Sequence, residues 1–135
     1  MKILVFSEDM IKNYMTEENH IVISVTSPSS VGIKLPNQES RLNTLFMVFY
    51  DLDFPIPMDN CILFNEAHAK QILKFVKLYK NKVYTILVNC EAGISRSAGI
   101  AAALSKIYNG EDSYYFKEYI PNSLVYRTIL EVYHR

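Results

Sequence analysis

The stretch Tyr84-Thr85-Ile86-Leu87-Val88-Asn89-Cys90-Glu91-Ala92-Gly93-Ile94-Ser95-Arg96-Ser97-Ala98-Gly99-Ile100-Ala101-Ala102-Ala103-Leu104 decides the fold. Its first part, Tyr84–Val88, is a continuous apolar run with β-branched members, the pattern of a strand buried on both faces in a parallel sheet. Its last part opens a segment, Ser97–Tyr108, that is apolar nearly all round, and such a helix belongs in an interior. Asn109-Gly110 ends that helix with residues that tolerate left-handed geometry. Between strand and helix lies the tight connection Asn89–Arg96.

A strand that turns sharply into a helix aims several backbone N–H groups at one point, and the helix N-terminus adds partial positive charge. The expected result is an anion cradle built from Glu91, Ala92, Gly93, Ile94, Ser95 and Arg96. Gly93 lets the backbone close tightly, and Arg96 adds a planar fork of donors suited to phosphate oxygens. Cys90 stands at the strand end, on the floor of this cradle. The field that attracts phosphate also stabilises a thiolate, so a nucleophile is expected beside the binding site of its electrophile. Attack on phosphorus gives a cysteinyl-phosphate that water then hydrolyses. The Ser97 hydroxyl is placed to stabilise the departing thiolate. Glu91 puts a negative side chain into the loop, where a residue at this position can point outward.

Outward from this segment the chain reads as one domain, residues 1–135. Half of it is apolar (50 %), enough to bury a core without staples. Fourteen basic and 14 acidic residues give a formal net charge of zero, which argues against nucleic acid as a partner. No apolar run approaches the ~18 residues of a membrane span. Two cysteines suit a reducing compartment, and the N-terminus does not resemble a signal peptide, so a soluble, cytoplasmic protein is expected. Ile3–Phe6, His20–Val25 and Thr44–Tyr50 read as strands, with a helical turn or two over Glu8–Tyr14. Thr26–Arg41 reads as a long surface excursion. Asn65 caps a helix running to about Lys80, with Ala69, Ile72, Leu73, Val76 and Tyr79 on its buried face and Lys70, Lys74, Lys77 and Lys80 mostly off it. Ser113–Tyr119 and Ser123–Tyr133 are two further helices. This order indicates an α/β domain with helices on a mostly buried sheet.

Cleavage of a phosphate ester also needs a proton for the leaving oxygen. The loop Tyr50-Asp51-Leu52-Asp53-Phe54-Pro55-Ile56-Pro57 follows a strand and precedes the capped helix, and Asp51 and Asp53 both qualify as the acid. Asp59 reads as a turn or capping residue. Cys61 reads as an apolar filler. His20, His68 and His134 show no metal-ligand spacing, so neither metal nor cofactor is expected.

The string Cys90-x-x-Gly93-x-x-Arg96-Ser97 resembles the signature of cysteine-dependent protein tyrosine phosphatases. Extended through Ala98, it looks most like the dual-specificity branch. Pro121-Asn122, followed by an apolar helix, is similar to a segment those phosphatases carry near the C-terminus, and the order of elements fits over roughly residues 44–133. The resemblance implies a three-layer fold with a mostly parallel central sheet flanked by helices. It implies hydrolysis of phosphotyrosine, with phosphoserine and phosphothreonine as further substrates, on phosphorylated proteins. It favours Asp53 over Asp51 as the acid, since prolines follow closely. A second cysteine such as Cys61 guards the nucleophile as a reversible disulfide in some relatives. One departure stands out: the family usually has histidine before the cysteine, and this chain has Asn89. The alternatives are a phosphatase of an RNA 5′ end or a phosphoinositide, and a non-catalytic binder of phosphoproteins. Phosphoinositide enzymes tend to carry lysines in the loop, and residues 91–95 have none. Non-catalytic relatives usually lose the cysteine, the arginine or the acid, and here all three types are present.

Overall fold

The computed structural model describes residues 1–53 and 62–135. Pro55, Pro57, Asp59 and Cys61, each given a role above, lie outside the described residues.

Four strands, β1 (Lys2–Ser7), β2 (His20–Thr26), β3 (Arg41–Val48) and β4 (Thr85–Cys90), form one parallel sheet in the order β1-β4-β2-β3. Their sequences explain the order. All residues of β2 (HIVISVT) and β4 (TILVNC) are buried, as central strands of a sheet covered on both faces must be. The outer strands are mixed: β3 leaves Leu42, Phe46 and Val48 exposed. β3 begins at Arg41, earlier than the apolar run predicts, because pairing with β2 starts at His20 opposite Arg41. β3 ends at Val48; the Phe49 N–H still bonds the Thr26 carbonyl at 3.1 Å, and the Tyr50 N–H bonds the Ile62 carbonyl at 2.8 Å.

One face carries the main core. Alternate strand residues Ile21, Ile23, Val25, Ile86, Val88 and Cys90 meet helices α2 (Glu66–Tyr79), α3 (Arg96–Asn109) and α5 (Ser123–Tyr133). α4 (Ser113–Glu118) sends the Tyr115 ring into this core, where its hydroxyl donates to the Ile3 carbonyl at 2.6 Å. The opposite face is thinner. There α1 (Glu8–Ile11) and the segment after β2 cover Phe6, Val22 and Leu87 with Ile11 and Leu35. The long excursion runs over the surface and is pinned by buried Leu35, while Gln38 and Ser40 anchor it to the backbone of Tyr14 and Thr16.

α2 starts where Asn65 predicts. The Asn65 carboxamide accepts the N–H groups of Ala67 and His68, and His68 Nδ1 accepts the Asn65 N–H at 3.0 Å. Its fully buried face is Ala69, Ile72, Phe75 and Val76, while Leu73 and Tyr79 pack at the margin. His68 lies against Phe49 and Phe64, and burial holds it below the ordinary histidine value. α3 is apolar all round and interior, as read from its sequence, and ends at Gly110 with φ 72°. No helix among the described residues is long and apolar enough to cross a membrane.

Candidate active site

Parallel strands all point their C-terminal ends the same way, and ligands of open α/β sheets bind there. Cys90 is the last residue of central strand β4, and α3 begins six residues on at Arg96. The loop 91–95 is thus held at both ends by the most buried elements of the molecule. Gly93 makes the turn possible. Its φ is 71°, and a Cβ there would stand 2.5 Å from the Ser7 nitrogen. The loop packs directly on the end of β1, and the Glu8 N–H bonds the Glu91 carbonyl at 3.2 Å.

Cys90 is buried (2 % exposed) at the edge of the main core, and two polar groups meet its sulfur. The Gly93 N–H donates to Sγ at 3.3 Å, and the Ser97 hydroxyl lies 3.1 Å away. Among the described residues, no group of the chain accepts from the N–H groups of Ala92, Ile94 or Ser95. The first turn of α3 adds donors without intrahelical partners. The sequence-derived cradle is therefore assembled in one place: sulfur at the floor, amides around it and Arg96 at its closing end.

Arg96 is 6 % exposed and gripped from three stretches of chain. One terminal nitrogen donates to Ser27 Oγ and to the Phe49 carbonyl, both at 3.0 Å, and the other meets Glu91 Oε1 at 3.1 Å. Nε is buried without a partner among the described residues. Glu91 does not point outward. Its carboxylate also takes the hydroxyls of Ser27 (2.5 Å) and Ser30 (3.2 Å). The Ser27 bond, followed by Arg96, holds Glu91 below its ordinary value of 4.5. A buried cation demands a counter-charge, and Glu91 is the nearest acid in sequence. Ser27 and the Phe49 carbonyl were not legible as site groups. The available signal was position: Ser27 directly follows β2, the neighbour of β4, and so emerges beside the loop.

Of the two candidate acids, Asp51 is bonded to the loop and Asp53 to the start of α5. Asp51 Oδ1 accepts the Ser95 hydroxyl at 2.7 Å and the Asn122 amide at 3.0 Å. Asp53 is exposed, and among the described residues its Oδ2 accepts only the Ser123 hydroxyl, at 3.3 Å. Asn122 joins the parts. Its N–H bonds the Ser95 carbonyl, its side-chain amide reaches Asp51 and the Leu52 carbonyl, and its Oδ1 caps α5 through Val125. Ile120 adds a bond to the Ile94 carbonyl at 3.1 Å. Asn89, where histidine is usual, is buried with its Oδ1 unpartnered among the described residues. It points away from Cys90, toward the thinner face of the sheet, since adjacent strand residues face opposite sides.

No protein-family model matches the chain, and no curated protein matches it in sequence. Solved structures do match. The chain is similar to human DUSP28, with a TM-score of 0.65 and 14 % identity over 98 % of this chain and 91 % of that one. It is similar to the human tyrosine phosphatase-like serine/threonine/tyrosine-interacting protein, with a TM-score of 0.58 and 20 % identity over 84 % of this chain and 76 % of that one. It is also similar to PTPMT1, solved in complex with PI(5)P, with a TM-score of 0.57 and 15 % identity over 98 % of this chain and 90 % of that one. At these identities the likeness is one of architecture. The resemblance carried by residues 90–98 is accompanied by a likeness of fold over 84–98 % of the chain, and the chain has the α/β fold of dual-specificity phosphatase-like proteins, a parallel four-stranded sheet flanked by helices.

Proposed function

We propose that the chain is a cysteine-dependent phosphomonoester hydrolase acting on phosphorylated proteins, with phosphotyrosine favoured and phosphoserine or phosphothreonine as further substrates. One observation carries this reading: a buried sulfur that receives the Gly93 N–H and touches the Ser97 hydroxyl, on the floor of a loop with unengaged amides and a buried arginine. Burying a sulfur among donors serves an anionic thiolate; an inert structural cysteine is better served by apolar neighbours.

In this mechanism the loop amides of residues 91–96 and Arg96 hold the phosphoryl oxygens. The Cys90 thiolate attacks phosphorus, an S–P bond forms and the ester P–O bond breaks. Asp53 gives its proton to the leaving oxygen. Water then attacks the cysteinyl-phosphate, Asp53 takes a proton from it, and the S–P bond breaks to release inorganic phosphate. Ser97 donates to the returning thiolate. Asp53 suits the acid role because it is exposed, while the two bonds to Asp51 Oδ1 suit a tie between the 51–53 segment and the loop. A free, reactive thiol belongs in a reducing compartment such as the cytoplasm.

The test is turnover of an aryl phosphate by Cys90→Ser. Loss of turnover to the background rate with an unchanged thermal melt is expected. Turnover retained in that variant overturns the mechanism. A panel adding a phosphoinositide and an RNA 5′-phosphate end decides the substrate class, and preference for either over phosphopeptides overturns the protein-phosphatase reading. Tight phosphopeptide binding with no hydrolysis by the native protein overturns the enzymatic one.

A further inference from the structure

At the end of α3 opposite the loop, a second concave feature shares no residue with the candidate active site. An open groove of about 540 Å³ runs between α2, Tyr108 near the end of α3 and the last turn of α5. Lys74, Lys77 and Lys80 line its α2 side, and Val132 and Tyr133 line the α5 side. All three lysines are exposed, and none is in an ion pair among the described residues. Among the described residues, no carboxylate lines the groove. Lys80 Nζ stands 5.9 Å from the Tyr108 ring centroid, so this cation is already drawn to the aromatic wall.

Lysines in the last turns of a helix ordinarily need no explanation, because they complement the helix dipole. Here three of them stand around one cleft beside apolar and aromatic side chains, in a chain whose net charge is zero. We propose that this groove docks an acidic polypeptide segment carrying aliphatic or aromatic side chains. The lysines meet its carboxylates, and Leu73, Tyr108, Val132 and Tyr133 receive its apolar side chains. The cations stand on the α2 side, and the α3 and α5 sides carry Tyr108, Val132 and Tyr133. That arrangement suits a peptide better than a nucleic acid, which requires an extended basic track. α3 spans 14 residues, so the groove lies about 20 Å from the anion loop at 1.5 Å per residue. Binding there does not depend on the phosphatase reading.

The test is fluorescence polarisation of a labelled, unphosphorylated peptide of glutamates interspersed with leucines. Three proteins are compared: native, the groove triple Lys74→Glu/Lys77→Glu/Lys80→Glu, and the control triple Lys34→Glu/Lys106→Glu/Lys117→Glu of equal charge change. Saturable binding by the native protein that weakens with added salt is expected. A loss of about tenfold or more in the groove triple, with the control nearly unchanged, is also expected. Circular dichroism checks folding, and the single Lys77→Gln and Lys80→Gln variants give the same reading if the triple unfolds. Absence of native binding, equal weakening in both triples, or tighter binding of an oligoribonucleotide or phosphatidylserine vesicle at the groove overturns the proposal.

Discussion

Replacing Gly93 with alanine separates the backbone demand of the loop from its packing demand, because Gly110 supplies an internal control. The two glycines have nearly the same dihedral, φ 71° and 72°. Each substitution therefore carries the cost of a left-handed residue with a Cβ, about 1–2 kcal/mol. Around Gly110 a new Cβ meets nothing within 4 Å. At Gly93 it meets the Ser7 nitrogen at 2.5 Å, the Phe6 carbonyl carbon at 2.7 Å and the Ser7 Cα at 2.8 Å. These are backbone atoms of β1, fixed by parallel pairing of Phe6 with Asn89 and Ser7 with Cys90, so no rotamer change relieves the overlap. Either β1 or the loop must move, at a further ~1–3 kcal/mol of the kind seen on overpacking. Urea unfolding should show a loss of about 2–5 kcal/mol for Gly93→Ala and about 1–2 kcal/mol for Gly110→Ala. Aryl phosphate turnover should collapse in the first variant and persist in the second. Equal stability losses, with turnover intact in both, refute the claim that the loop is seated on β1.

Three further outcomes are expected. Asp53→Asn should lower turnover about 10²–10⁴-fold and abolish the fall in rate on the alkaline side of the pH profile, whereas Asp51→Asn should keep that fall; the reverse result makes Asp51 the acid. Asn122→Ala removes the α5 cap and the bonds to Asp51 and Leu52, so the melt should reveal a loss of about 1 kcal/mol from the cap alone, and turnover should drop although Asn122 touches no substrate. Glu91 is held below its ordinary value chiefly by the Ser27 hydroxyl. Its stabilising contribution is therefore complete above the unfolded-state value and lost as pH falls through the folded-state one, and Glu91→Gln should flatten the loss of stability below about pH 5; acid unfolding curves of equal slope count against the tie.

The central strand, the loop and the buried helix were legible because each rests on local chemistry. A β-branched apolar run makes a two-sided strand, glycine makes the turn, and an all-apolar helix goes inside. Asn65 likewise announces its own helix, since a cap acts over three residues. What sequence patterns do not carry is the grip on Arg96. Its partners Ser27 and Phe49 lie 69 and 47 residues away and become neighbours only when β2 and β3 take their places beside β4. The inward turn of Glu91 escapes for a related reason: whether a loop carboxylate faces solvent or its own arginine depends on which hydroxyls the neighbouring strand delivers. Asn122 falls between these cases. Its segment was recognisable by resemblance, but its bonds to the loop and to Asp51 required the fold.

The two halves of the proposed chemistry hang from parts of the sheet that differ in how firmly they are held. Cys90 ends β4, flanked by a strand on each side, whereas Asp53 follows β3, one of the two terminal strands, which pairs on one side only among the described residues. Mild denaturant should loosen the rim before the middle. Hydrolysis of esters with poor leaving groups, which depends on a delivered proton, should then fade while nitrophenyl esters are still cleaved and the sulfur still alkylates rapidly. Such a protein would lose its choice of substrate before it loses its reactivity.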